Sequence, residues 1–544
     1  MSVHADGMHA DLSGLDPLVV NLTHRATVGD LATRGAQSFG DRPAVIDGEF
    51  VLSYRDLDAR ANAVARGLLQ HGLRRGDGVA LQIQNRWEFI VAFFACAKAG
   101  IVVLPLNLAL SPNDIAYQLA DSGVKAVIAE DEFLPVLEPA VKADCAVEVV
   151  HVIGSSPETV AGRTASNWTE LLDNDTSTVE VFVDDRDILQ CLYTSGTTSL
   201  PKGVVTSHVS VVIGVLNSAL GFGMRRRRVG SVMPIVLPLF HVTALDVLLL
   251  PLLLTGGTAV LHQGFDADAV VKDFANHRVT HIALLPAMWA GLLEHPDLPK
   301  VDTAALEIGL YAMAPMPGDR LRAIRGAFPQ ADIILGSGQT ETTPLSELQW
   351  PEHQGEKDNS WGCAVATTDV RIMALDGRLL PPGEEGEIVY RTPQLMDGYL
   401  NNAEANAKAS AHGWFHGGDV GYRDDEGVIW FTDRTKDMIK SGGENVSSVE
   451  VERVVLDHDT VAECAVVGLP DDRWGEAVTA FVVKHPGTTA TPDDLREHCK
   501  TKLAGFKVPK RFIAVEELPK TATGKIKKHE VRASHGPTSH DDPK

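Results

Sequence analysis

The sequence lacks a long apolar run. Its most apolar stretches, Val91 to Pro105 and Val247 to Leu254, are short or broken by Lys98 and prolines, and they suit core elements better than a membrane span. The first residues, MSVHADGMHADLSGLDPL, have neither a basic start nor an apolar segment, so no secretory signal is expected. Six cysteines (Cys96, Cys145, Cys191, Cys363, Cys464, Cys499) are scattered with no CxxC pair. That argues against a disulfide framework or a zinc site and for a reduced, cytoplasmic chain. Basic residues are the minority, 49 against 72 acidic ones, for a formal charge of −23. Such a chain has no global attraction for nucleic acid, and any polyanionic ligand needs local cations and backbone N–H donors.

The chain has 544 residues, 44% apolar and 22% charged, enough for a large core and too long for one ordinary domain. From Ser53 a helix is expected, because Leu57, Ala61, Val64 and Leu68 share a face and Gly72 supplies a stop. A strand over Val79 to Ile83 follows. Further short apolar runs (Ala126–Ala129, Val147–Ile153, Ile188–Tyr193, Ala259–His262, Ile282–Leu285, Ile333–Leu335) alternate with helical stretches. This is an α/β pattern, too long for one sheet, and no internal repeat is visible. Residues 1 to about 20 read as a loose polar leader, and those from about Ala533 as frayed. Near Asp433 the character changes, and about a hundred residues with their own alternation form a separate small domain.

The first segment that carries chemistry is Tyr193-Thr-Ser-Gly-Thr-Thr-Ser-Leu-Pro-Lys-Gly203. Small residues let backbone N–H groups turn inward, hydroxyls add donors and Lys202 adds charge, which together make a phosphate nest. The Walker pattern is absent, and the plain alternative is a polar strand-to-helix turn. The segment resembles the phosphate loop of the adenylate-forming superfamily of acyl-CoA synthetases, adenylation domains and luciferases. Ser199 stands where that family commonly has glycine.

Other motifs follow in that family's order. Gly338-Gln-Thr-Glu341 resembles its GxTE element, Gly413-Trp-Phe-His-Gly-Gly-Asp419 its ribose-binding segment, and Asp433-Arg-Thr-Lys-Asp-Met-Ile-Lys440 its hinge. Ser441-Gly-Gly-Glu-Asn445 is similar to its thioester loop, and Pro519-Lys-Thr-Ala-Thr-Gly-Lys525-Ile to its C-terminal lysine element. The resemblance spans roughly Ser53 to Lys528. It implies an adenylate-forming fold, with a large N-terminal domain of several β-sheets and helices (1–435) and a small mobile α+β domain (436–544), hinged near 434–437. It also implies ATP, Mg²⁺ and coenzyme A as reaction partners.

By the same resemblance, Lys525, Glu341, Thr340 and Lys202 are the catalytic set, with Glu341 on the metal. Thr194, Ser195, Gly196, Thr197, Thr198, Ala314, Pro315, Gly338, Gln339, Asp419 and Arg434 would hold the nucleotide. Lys436 would be the pivot, and Lys440, Ser441, Gly442, Gly443 and Glu444 would meet CoA.

Phe240-His241-Val-Thr-Ala resembles the FHxx segment of acyl- and aryl-CoA ligases. His241 stands where amino-acid-activating relatives carry an aspartate, which disfavours an amino-acid substrate. His241, Val242, Tyr311, Met313 and Ser337 are the expected acyl-pocket residues. Several positions depart from the family pattern: Ala312 and Met313 replace glycines, Ser337 replaces an adenine-stacking aromatic, and Cys363-Ala364 replace a basic residue and proline. Arg225–Arg228 reads either as a site for the CoA 3′-phosphate or an acidic carrier, or as a solvated loop. The expected activity is adenylation of a fatty or aryl acid and acyl transfer to CoA, by a monomer or homodimer. The alternatives are a non-CoA acceptor (an amine, a carrier protein, or an unusual acid such as nitrite in place of the carboxylic acid) and a non-catalytic binding relative.

Overall fold

A computed structural model describes residues 12–142, 144–194, 200–311, 316–442, 444–471, 473–521 and 526–534. The helix expected from Ser53 runs Tyr54–Gln70. The Ser53 hydroxyl accepts the Asp56 N–H, and the helix buries Leu57, Ala61, Val64 and Leu68. It packs on Trp87–Ala99, a helix buried nearly all round. Lys98, which interrupts that apolar run, is only 4% exposed and meets the Asp58 carboxylate at 2.7 Å. Burial pulls its pKa down, and the Asp58 charge works against that pull.

Among the described residues the largest sheet has nine strands. Its centre is parallel (Val102–Pro105, Gly78–Gln82, Ala126–Glu130, Val149–Ile153), and Lys202–Ser207 and Gly398–Tyr399 pair antiparallel at one edge. A second sheet places His281–Leu284, Ile308–Tyr311 and Asp332–Gly338 in parallel, then reverses through Leu345–Leu348 and Cys363–Ala364. An antiparallel sheet of Asp369–Met373, Gly386–Arg391, Phe415–Arg423 and Ile429–Arg434 follows. The last sheet, built on Val461–Asp471 and Gly475–Lys484, has its own apolar core around Val446, Val451, Val466 and Val482. The observed architecture is therefore mixed α/β, with a large N-terminal domain and a small C-terminal one.

Two readings need correction. The expected loose leader contains a helix, Pro17–His24, because Asp16 caps the Leu18 N–H and Pro17 suits the first turn. Also, the chain after Tyr193 does not turn into a helix. It returns as the antiparallel strand Lys202–Ser207, and the helix starts only at His208.

The two domains are stitched beside the expected hinge. One Asp433 oxygen accepts the Ser448 N–H at 2.5 Å and the other accepts the Arg434 N–H at 2.7 Å, while the Ser447 hydroxyl donates to the Thr432 carbonyl at 2.6 Å. Asp433 thus caps the helix Ser448–Leu456 from outside it. Asp433→Ala is expected to lower stability by ~0.5–2 kcal/mol, the range for a lost helix cap, with Asn retaining most of it. Urea denaturation checks this, and an unchanged midpoint would contradict the capping role.

Candidate active site

Thr194 and Lys202 face each other across the antiparallel pair that flanks the phosphate loop. Ser195, Gly196, Thr197, Thr198 and Ser199 lie outside the described residues. The Lys202 ammonium sits 4.6 Å from the ring centroid of Tyr399, close enough for cation–π attraction. The Tyr399 hydroxyl in turn donates to Glu341 Oε1 at 2.9 Å. Burial, and then the Glu341 charge, push the phenol well above its ordinary pKa, so it remains a donor. Asn406 fixes Tyr399 through its backbone, accepting the Tyr399 N–H at 2.6 Å and donating to its carbonyl at 2.9 Å. One ring therefore joins the phosphate-loop lysine to the expected magnesium carboxylate.

Thr340 and Glu341 occupy a short 3-10 turn, Thr340–Thr342, entered through Gly338. Gly338 has φ +149°, and a Cβ there would run into the Pro344 carbonyl, so only glycine lets the chain pass. The Gln339 side chain lies over Gly417, where any side chain would collide with it. That contact brings the GQTE and GGD segments together. Asp419 is 3% exposed and meets Arg434 Nε at 2.9 Å, its direct partner across the strands. Burial opposes the charge of Arg434, but Asp419 and Glu341 more than offset it and raise its pKa. The Lys202–Tyr399–Glu341 and Asp419–Arg434 groups thus form one electrostatic unit.

The remaining expected residues fall into three sets. Ser441 pairs with Glu444 in the hairpin Ile439–Ser441 and Glu444–Val446. Gly442 takes φ +64° there, packs against the Trp474 ring and donates its N–H to the Trp474 carbonyl. Lys440 is exposed, and its N–H reaches the Glu476 carboxylate at 2.7 Å. Lys436 is exposed in the turn that follows Arg434.

His241 accepts the Thr243 N–H on Nδ1 at 3.3 Å, just before a π-helical turn, Thr243–Leu249, while Val242 is buried. Ser337 is half-buried and pairs with Glu347. Tyr311, expected on the pocket wall, is a correction. It is 0% exposed, and its hydroxyl is spent on Gln349 in the core. Met313, Ala314, Pro315, Gly443 and Lys525 lie outside the described residues. The exposed Arg225–Arg228 run is partly engaged at home: Arg226 lies over Phe39, Arg227 pairs with Glu307, and the Arg228 carbonyl accepts from Arg42. Tyr399 is the group that motif reading missed. Only its aromatic character in a short Gly-Tyr strand signals it.

This site, set where a nucleotide-type phosphate hairpin meets a ribose-type carboxylate beside a small C-terminal domain, defines an adenylate-forming enzyme. The family described as AMP-binding enzyme matches residues 32–400, and the AMP-binding enzyme C-terminal domain matches residues 450–525. The chain belongs to the AMP-binding enzyme family. It is 35% identical over 509 residues to a feruloyl-CoA synthase of an Amycolatopsis species, covering 94% of this chain and 99% of that protein. The o-succinylbenzoate CoA synthetase of Bacillus subtilis, solved with its acyl-adenylate intermediate, aligns with TM-score 0.81 at 30% identity, over 92% of this chain and 97% of that one. The amide bond synthetase McbA of Marinactinospora thermotolerans aligns with TM-score 0.84 at 28% identity, over 94% and 100%.

Tyr399→Phe keeps the ring beneath Lys202 and removes the donor to Glu341. A hydrogen bond to a charged group contributes ~1.5–3 kcal/mol, so acid-dependent pyrophosphate release is expected to fall roughly ten- to a hundredfold. A rate within twofold of the unmodified enzyme would show that the bridge is only structural.

Proposed function

We propose that this enzyme, an ATP-dependent acid–CoA ligase, adenylates a fatty or aryl carboxylic acid in the cytoplasm and passes the acyl group to CoA. The observation that carries this reading is the single ring of Tyr399 tying Lys202 to Glu341, next to the Asp419–Arg434 pair. A carboxylate is a poor electrophile. Making it a mixed anhydride with AMP requires one anion to attack another, so catalysis is mainly positioning and charge compensation.

Asp419 accepts the ribose hydroxyls and Arg434 holds ribose or phosphate. Thr340 and the loop N–H groups hold phosphate, and Lys202 draws charge off the departing pyrophosphate. Lys525 bridges the carboxylate and the α-phosphate. Mg²⁺ fits the donor chemistry at Glu341: it binds through one or two carboxylates plus substrate phosphates, where it would neutralise phosphate charge. Among the described residues no cluster of three or more His, Cys, Asp or Glu suggests a cage built from protein alone.

The small domain, residues 436–544, then turns about Lys436, withdrawing Lys525 and presenting Gly442–Gly443 to the pantetheine arm. His241 and Val242 line the acyl side, and the histidine leaves no carboxylate to pair with an α-amino group. Likeness to an amide bond synthetase supports a second reading, in which an amine replaces CoA as acceptor.

Pyrophosphate release and thioester formation are to be measured across fatty, aryl and amino acids, with and without CoA. Acid-dependent turnover that yields a thioester is expected for fatty or aryl acids. Adenylate formation with no thioester, but product when an amine is added, would move the acceptor to the second reading. Lys525→Ala is expected to slow adenylation by roughly 10²–10³-fold, the scale of one preorganised charge contact. Lys436→Pro should leave adenylation in place and block thioester formation, because it restricts φ at the pivot. Equal loss of both half-reactions would count against the pivot.

A further inference from the structure

Glu347 is a buried ionisable group to which the mechanism above gives no task. It lies in the Leu345–Leu348 strand, is 0% exposed, and has Ser337 and Ala364 as antiparallel partners. Directly opposed residues project to the same sheet face, so Glu347 stands on the face of Ser337, one strand behind the nucleotide site. Neither carboxyl oxygen has a full hydrogen-bond partner among the described residues. The groups near enough to act on it are the Asp419 carboxylate, on Phe415–Arg423, and the fully buried Tyr390 hydroxyl, on Gly386–Arg391. The cation of this group, Arg434 on Ile429–Arg434, is committed to Asp419 at 2.9 Å. Ser337 and Ala364 bring no charge.

The charge count decides the state of Glu347. Asp419 and Arg434 cancel, so an ionised Glu347 would be a buried anion without a counter-ion. Such a group takes up a proton instead. We propose that Glu347 is a positioning residue for the nucleotide: as a neutral acid it backs Asp419 and leaves the Asp419–Arg434 pair set to receive the ribose hydroxyls. Once ionised it repels Asp419, draws Arg434 toward itself and weakens ATP binding. Burial first, and then the Asp419 charge, push its pKa up to about 8. The acid form therefore prevails at neutral pH, and ATP affinity falls as pH rises through that value.

This inference rests on Asp419 receiving the ribose, as in the reading above, and the test keeps the two separable. ATP binding is measured by calorimetry without acid or CoA from pH 6.5 to 9.5, on the full chain and on Glu347→Gln. A single proton linked to binding at a pKa near 8 makes the dissociation constant about tenfold weaker at pH 9 than at pH 7. Glu347→Gln, neutral at every pH, should match the unmodified protein at pH 7 and stay flat. In turnover assays KM for ATP should follow the same curve, with kcat unchanged.

ATP lacking both ribose hydroxyls should bind weakly with no rise, a control that needs no mutant and stands even if the variant fails to fold. A pH-independent ATP affinity, the same rise in Glu347→Gln, or the same rise with the dideoxy nucleotide would each overturn the proposal. A protein that binds no ATP at any pH would overturn the adenylation reading together with it.

Discussion

The ion pair between Asp419 and Arg434 is the joint on which the site depends. Arg434 ends the last strand of the large domain, and the chain then turns at once into the small one, so the same residue is at the ribose position and at the boundary. A largely desolvated pair is seldom a net source of stability, because the loss of water offsets much of the attraction. Its value here is orientation. With Asp433 tied to the Ser448 N–H, the neighbouring residues lock one domain to the other, and Arg434 is held by its partner before any nucleotide arrives. A single substitution on either side leaves a charge without compensation, which is costlier than removing both.

The same economy of charge explains how an acidic protein of −23 can receive polyanions. The site is no bare positive patch. Lys202 rests on the Tyr399 ring, which is bound to Glu341, and Arg434 rests on Asp419. Each cation is matched by a nearby carboxylate, so the resting site is close to neutral and its side chains are pre-set. Binding ATP then needs charge that the protein does not itself provide in surplus, which is why a metal-complexed nucleotide suits it better than a free one.

Much of this was legible from the residues, and the gaps have physical reasons. The helix from Ser53 could be read because a cap, an apolar stripe and a glycine stop agree over one continuous stretch. The strand cores were legible as apolar runs, and Gly338, Glu341, Asp419 and Arg434 because each sits in a compact motif. Tyr399 was not, because its role comes from strand pairing with Val204 and from Asn406, and neither leaves a pattern around position 399. Tyr311 failed in the opposite way. Its neighbourhood resembles a pocket motif, but strand direction turns its ring into the core, where Gln349 takes up the hydroxyl. The leader helix was missed because eight residues carry too little periodicity, although Asp16 and Pro17 are the start signal that a closer reading would use.

The unusual serine at 337 and the buried acid at 347 are best understood as one feature. The two residues are directly opposed on neighbouring strands, where Cβ atoms stand roughly 4.5–5.5 Å apart. An aromatic ring at 337 and a carboxylic side chain at 347 would compete for the space on that face. A small residue at 337 relieves the competition and admits the acid. The stacking surface for adenine is then reduced, while a polar group appears behind the ribose carboxylate. Nucleotide affinity in this chain therefore leans less on ring contact and more on the electrostatics of Asp419, Arg434 and their buried neighbours. Of the two, only an electrostatic arrangement responds to the gain or loss of a proton.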